Sequence, residues 1–412
     1  MSKIFVGLVD ISSQLRDIKY GFTKLGYDVM TASVDRSSVI QRNDVDYDIN
    51  KLWPFPFFPG VRPRKLQRYL QDKGNPAKNY IFKKALRECD TFIYVFKSFY
   101  KDYKDFEIIR DKGKKLIYIF TGGNERWYYA ARQDFEMHNM RPPEYNKDFY
   151  STLIKLEESL SIVRNVEKYA NCTLSLPEQS QLFMRPYYRF NIFGIMEEFE
   201  FSSYQRKIPK IIHAPSSSDF KGTKYFLAAI SKLKEENIKF EFELIQGLPH
   251  LQALEKYKQS DIILNQLLVP GGGKLAIEGM ALGKVMLTFM GHDYSYDQKY
   301  PADCPIVDVT PDTIYQKLKE IILDDKLRVE LSEKGRTYVE KNHSAIKCAA
   351  ELIKNLEDNN INPDFRPTFF RDTFIPESTE SIAVYNKWTE HVSNCDWYKS
   401  NITKGTRAGL IF

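Results

Sequence analysis

Apolar positions arrive in short unbroken runs separated by amphipathic stretches. KIFVGLV (Lys3 to Val9) is apolar on both faces and predicts a strand. Ser12 or Ser13 then caps a helix carrying Leu15, Ile18, Phe22 and Leu25, Gly26 ends it, and DVMTAS begins another strand. The alternation continues through TFIYVF (Thr91 to Phe96), a polar helix near Tyr103 to Lys112, LIYIF (Leu116 to Phe120), a long helix near Lys147 to Tyr169, and NCTLSL (Asn171 to Leu176). A second series starts at Lys210: IIHA, the helix KGTKYFLAAISKLKEENI with Phe226, Ile230 and Leu233 on one stripe, FEFELIQ, HLQALEKYKQS, DIILNQ, KLAIEGMALG and VMLTFM. Strands apolar on both sides and separated by helices form parallel sheets covered on each face, so the expected fold class is α/β, with two Rossmann-like doubly wound domains. The irregular stretch PYYRFNIFGIMEEFEFSSYQRK (Pro186 to Lys207) is the expected linker, which gives domains at 1–195 and 208–360. Residues 361–412, with NNINPDFRP entering them and an amphipathic helix near Glu377 to Val392, are expected to pack back on the first domain. No GxGxxG follows a strand, which gives a dinucleotide site no support.

A chain of 412 residues is long for one core and suits two domains. With 43% apolar and 28% charged residues it is neither disordered nor fibrous. The opening MSKIFVGLVDISSQ meets a charge at Asp10, too soon for a signal peptide, and no run reaches roughly 18 apolar residues, so the expected location is cytoplasmic, peripheral at most to the inner face of the plasma membrane. Cys89, Cys172, Cys304, Cys348 and Cys395 lie far apart without a CxxC pair, as reduced thiols do; the six histidines show no HxH or HExxH spacing, so no metal site is expected.

The net charge of +6 conceals a regional excess. Residues 51–120 hold 17 Lys/Arg against 7 Asp/Glu, leaving the remaining chain at −4. Within KLWPFPFFPGVRPRKLQRYL, Trp53, Phe55, Phe57 and Phe58 precede Arg62, Arg64, Lys65 and Arg68. Residues 53–68 therefore suit an anionic membrane surface or an anionic acceptor; the other reading is an aromatic loop packed on the core beside a solvated helix face. Aromatic and basic residues are segregated rather than interleaved, so nucleic acid is not an expected partner.

Two stretches carry chemistry. HAPSSSDFKGT (His213 to Thr223) joins a strand end to a helix start, where free N–H groups, a positive dipole end and Lys221 suit a phosphate, although a capped helix start has the same pattern. PGGGKLAIEGMALGK (Pro270 to Lys284) brings three glycines after a strand, allowing close backbone approach to a ligand. Glu278 stands among Ala276, Ile277, Met280, Ala281 and Leu282, where a carboxylate needs satisfying by ribose hydroxyls or by Lys274 or Lys284.

These stretches in order, with LIQGLPH and EKYKQSDIILNQ between them, resemble the C-terminal domain of retaining glycosyltransferases of the GT-B fold, the family 4 group. IYIFTGGNERWY (Ile117 to Tyr128) resembles the glycine-rich strand end of that family's acceptor domain. The resemblance implies catalytic roles for Lys221 on the donor diphosphate and Glu278 on the ribose. It implies donor contacts from Ser216, Gly222, Thr223, Gly271, Gly272, Gly273 and Lys274, and an acceptor side near Gly122, Gly123 and Arg126, to which His138 in its loop is added. It departs from the family at Pro270, where the first glutamate of the pair would stand, and at Ser216, where an arginine would. DVDYD (Asp44 to Asp48) imitates a DxD metal motif, but the implied fold needs no chelated metal and no cofactor beyond the nucleotide diphosphate sugar as substrate. The expected activity is transfer of a hexose, with retention, to a glycan or lipid-linked acceptor in surface polysaccharide or glycoconjugate synthesis. The alternatives are a catalytically lapsed partner subunit and a sugar-nucleotide epimerase of the same fold.

Overall fold

Continuous apolar strands need cover on both faces, and the architecture supplies it twice. The computed structural model describes residues 2–34, 44–52, 75–121, 153–176, 180, 182–183, 187–203, 206–290 and 303–357. The first part runs β1 (Lys3–Leu8), α1 (Gln14–Lys24), β2 (Asp28–Ser33), β3 (Tyr47–Asp48), α2 (Ile49–Leu52), α3 (Pro76–Glu88), β4 (Thr91–Val95), α4 (Lys104–Asp111), β5 (Lys115–Ile119), α5 (Leu153–Tyr169), β6 (Cys172–Ser175) and β7 (Tyr188–Arg189). After a 3-10 turn at Met196–Glu198 come β8 (Lys210–His213), α6 (Ser218–Lys221), α7 (Thr223–Glu235), β9 (Glu241–Leu244), α8 (His250–Lys258), β10 (Ile262–Leu264), α9 (Gly273–Ala281), β11 (Val285–Thr288), β12 (Val307–Asp308), α10 (Ile314–Leu323), α11 (Asp325–Asn342) and α12 (Ala345–Glu357). Gly122, Gly123, Arg126, His138, segment 53–68 and residues 361–412 lie outside the described residues.

The first sheet has the order β3-β2-β1-β4-β5-β6-β7 and the second β12-β11-β10-β8-β9, every pair parallel. Side chains alternate across each strand. Phe5, Phe92, Tyr94, Leu116 and Tyr118 pack under α3, α4 and α5, whereas Ile4, Val6, Ile93, Val95, Ile117 and Ile119 pack on the face that α1 occupies. In the second sheet Ile212, Ile263 and Met286 meet α8, α9 and α11; Ile211, Ile262, Leu264 and Leu287 meet α7 and α10. The strands read from sequence are present, and the short edge strands β3, β7 and β12 are additions that pattern alone does not reveal. Asp46, in the stretch that imitates a metal motif, accepts from the Thr31 amide at 2.8 Å and from Lys19 Nζ at 2.5 Å.

The return crossing starts earlier than expected. Residues 345–357, assigned above to the second domain, form α12 on the first sheet's face, with Ala345, Cys348, Ala349 and Leu352 buried beside Leu15, Ile18 and Phe22. The crossing is pinned where the amide of Gly194 donates to the His343 carbonyl at 2.8 Å and that of Ala345 donates to the Gly194 carbonyl at 2.8 Å. Gly21 of α1 makes the approach possible: a Cβ there would lie 2.2 Å from the Ala345 carbonyl oxygen. Among the described residues no helix is long and apolar enough to cross a membrane.

One core group gives stability a pH dependence. Asp105, in the first turn of α4, is wholly buried and accepts from the Phe99 amide at 2.7 Å; burial pushes its carboxyl up to about 7. An acid with a raised folded-state pKa contributes most below its unfolded value near 4, and the contribution is lost as pH rises toward 7. Asp105→Asn keeps an acceptor for Phe99 and removes the charge. Thermal melts should show the variant stabilised by on the order of 2 kcal/mol at pH 8 and close to the parent at pH 4.5; a gain equal at both pH values would contradict the charge argument.

Candidate functional site

A cavity of about 550 Å³ lies between the two sheets, with Ser12, Gln14 and Thr121 from the first part and Ser216, Lys221 and Gly271 to Gly273 from the second on its walls. In the second sheet the strand order reverses between β8 and β10, the place where a crevice opens at the carboxyl ends of parallel strands. Lys221 follows β8 and the residues that hold it follow β10. Its Nζ donates to Asn265 Oδ1 at 3.0 Å and to Gln266 Oε1 at 2.5 Å. Both partners are neutral, and burial brings the ammonium down to about 8.

The same two amides hold the glycine loop. Asn265 Nδ2 donates to the Gly272 carbonyl at 2.6 Å, and Gln266 Nε2 to the carbonyls of Val269 at 2.9 Å and Gly271 at 2.6 Å. Gly271 has φ of 97°, and a Cβ on Gly272 would meet the Ala276 Cβ at 2.7 Å, so side chains are refused at both positions. Gly273 opens α9, whose N-terminal end faces the cavity with its share of positive dipole. Glu278, 3% exposed on α9, accepts from His250 Nε2 at 2.9 Å, and both side chains line the cavity.

No family model matches this chain, and neither does any curated protein. Solved structures do. Sucrose-phosphate synthase from Thermosynechococcus elongatus is similar with a TM-score of 0.56 at 11% identity, over 86% of this chain and 98% of that one. HepE from Anabaena, in complex with UDP and glucose, gives 0.52 at 10% identity over 86% and 99%, and an alpha-glucosyltransferase in complex with UDP gives 0.53 at 11% identity over 87% and 100%. The chain has the GT-B fold. At such identities the likeness is one of architecture, and the site must be argued from its own residues.

Within the GT-B frame the expected residues divide. Lys221, Glu278, Ser216, Gly271 to Gly273 and Lys274 share the cavity wall. Gly222 and Thr223 lie behind it. Gly222, with φ of 74°, packs against Leu267 and Leu268 and separates α6 from α7. The Thr223 hydroxyl donates to His213 Nε2 at 2.8 Å; His213 Nδ1–H donates to the Leu264 carbonyl, and burial holds that histidine neutral with its pKa down to about 4. Lys274, expected to contact the donor, pairs with Asp17 of α1 and donates to the Phe193 carbonyl at 2.6 Å. Asp17 is fully buried and its carboxylate is met by Arg16 Nη2 at 2.8 Å as well as by Lys274, so the lysine joins the two parts while also lining the cavity. Glu278 pairs with neither Lys274 nor Lys284; its partner, His250, was not singled out from sequence, and neither were Asn265 and Gln266.

Proposed function

We propose that this protein transfers a hexose from a nucleotide diphosphate sugar to a glycan or lipid-linked acceptor with retention of configuration. The observation carrying the proposal is Lys221: an ammonium on the wall of the cleft, held by two neutral amides and by no carboxylate among the described residues, across from a helix that three glycines open. A leaving diphosphate gains charge as the glycosidic bond breaks, and a preorganised cation with a helix N terminus stabilises that charge. In this reading the two together meet the demand that a divalent cation would otherwise meet. Glu278 uses Oε1 for His250, and Oε2 is proposed to accept from a ribose hydroxyl. The UDP complexes of HepE and of the alpha-glucosyltransferase support the choice of donor class.

The test is incubation with UDP-, GDP- and dTDP-sugars, following release of nucleoside diphosphate. Turnover with at least one donor is expected, and Glu278→Ala should lose about tenfold or more in kcat/KM for that donor. Pro270, standing where the resembled family has its first glutamate, motivates the second reading of a lapsed enzyme: nucleotide binding without turnover would favour it. Failure of both binding and turnover would remove the enzyme reading altogether.

A further inference from the structure

Lys221 and the glycine loop are held by the same two side chains, and the chemistry of those side chains is restrictive. An amide offers an acceptor oxygen and two N–H donors at once. At 265 and 266 the oxygens face the ammonium, while the nitrogens take the carbonyls of Val269, Gly271 and Gly272. A carboxylate in either place would cancel the lysine's charge and oppose the loop carbonyls. An apolar side chain would leave those buried groups unpaired, at a cost larger than the net value of the bonds themselves. Asn265 and Gln266 are both buried, so solvent cannot substitute for them.

We propose that Asn265 and Gln266 are positioning residues for a donor diphosphate, fixing the Lys221 ammonium and the Gly271–Gly272 backbone in one frame while leaving the positive charge unspent. This rests on the reading of the cleft as a nucleotide diphosphate site. Two of the ammonium's three N–H donors are taken by amide oxygens, and the third serves the phosphate. Carbonyls engaged by the amides are withheld from the anion, which they would repel. The other titratable groups facing the cavity are His250 and Tyr257 on α8, Lys274 and Glu278 on α9, Arg189 on β7, Cys304, Tyr338 on α11 and His343, with His213 on β8 behind Lys221 and neutral in its buried setting.

The experiment is calorimetric titration of the full chain with inorganic pyrophosphate and with UDP, GDP and dTDP between pH 6 and 10, using Asn265→Asp, Gln266→Glu and Lys221→Ala. For the parent, affinity should fall as pH rises through about 8, where free Lys221 loses its proton. Asn265→Asp replaces an amide with a carboxylate of the same shape. It should weaken diphosphate binding at pH 7 by about tenfold or more and move the alkaline fall upward by about one pH unit or more, because a carboxylate beside the ammonium favours its charged form. A purely structural defect would weaken binding without moving that fall. Gln266→Glu repeats the test from the second amide should the first variant fail to fold. Parent-like affinity in both amide variants, or weakened binding with an unmoved pH dependence, overturns the inference. Parent-like affinity in Lys221→Ala instead overturns the reading of the cleft on which it rests.

Discussion

Lys221→Met should reduce nucleoside diphosphate release by about 10²–10³-fold, the usual cost of removing one preorganised group from a developing oxyanion, while shifting the melting temperature by only a few degrees. The two effects separate because the substitution's stability terms oppose each other. Deleting a half-buried ammonium relieves the desolvation that brings its pKa down to about 8. It also deprives Asn265 Oδ1 and Gln266 Oε1 of a donor, costing about 1–3 kcal/mol per group. Transition-state stabilisation has no such offset. The pH profile supplies a second sign: in the parent, kcat/KM should fall as pH rises through about 8 because the charged lysine is needed, and in the Met variant that limb should vanish. Turnover within a few-fold of the parent would show that the leaving diphosphate is stabilised elsewhere.

The second large effect concerns the junction of α1 and α12. Gly21→Ala should destabilise the protein by about 3 kcal/mol or more, although glycine-to-alanine inside a helix ordinarily gains up to ~1 kcal/mol from propensity. The reversal is steric. The added methyl would stand 2.2 Å from the Ala345 carbonyl oxygen and 2.7 Å from its carbon, both backbone atoms, and 3.2 Å from Ala349 Cβ. Backbone cannot rotate aside as a flexible side chain does, so α12 must withdraw and uncover Cys348, Ala349 and Leu352. Denaturant titration of Gly21→Ala beside Thr23→Ala, an exposed position on the same helix, checks this. Equal stabilities of the two variants would mean that α12 does not rest there.

How much of this was visible in the sequence follows from the range of the interactions involved. Strands buried on both faces are written as local apolar runs, and the triple glycine at 271–273 announces backbone that a ligand can approach, so the α/β architecture and one wall of the cleft could be placed by pattern. Lys221 stood out as a charge at a helix start and Glu278 as a carboxylate among apolar neighbours, and both line the cavity. The partners were not legible. Asp17 and Lys274 are 257 positions apart, and His250 and Glu278 28; no periodicity connects them. Asn265 and Gln266 read as the polar end of a strand, because an amide's value lies in meeting two different partners that only the fold assembles. Thr223 faces inward because β8 places His213 beneath it. The early return crossing depends on small residues at Gly21 and Ala345 meeting across the chain.

That crossing also bears on how the protein is made. The apolar stripe of α1 and the residues near Phe193 are synthesised long before α12, with the whole second sheet between them. At about 5–20 residues per second a ribosome needs roughly 8–30 s to proceed from β7 to α12. In the folded protein α12 completes the cover of one face of the first sheet, so the amino-terminal part cannot finish as an independent unit before α12 has been made. Biogenesis of the two halves is therefore coupled: completing the earlier one waits for the later one to be translated.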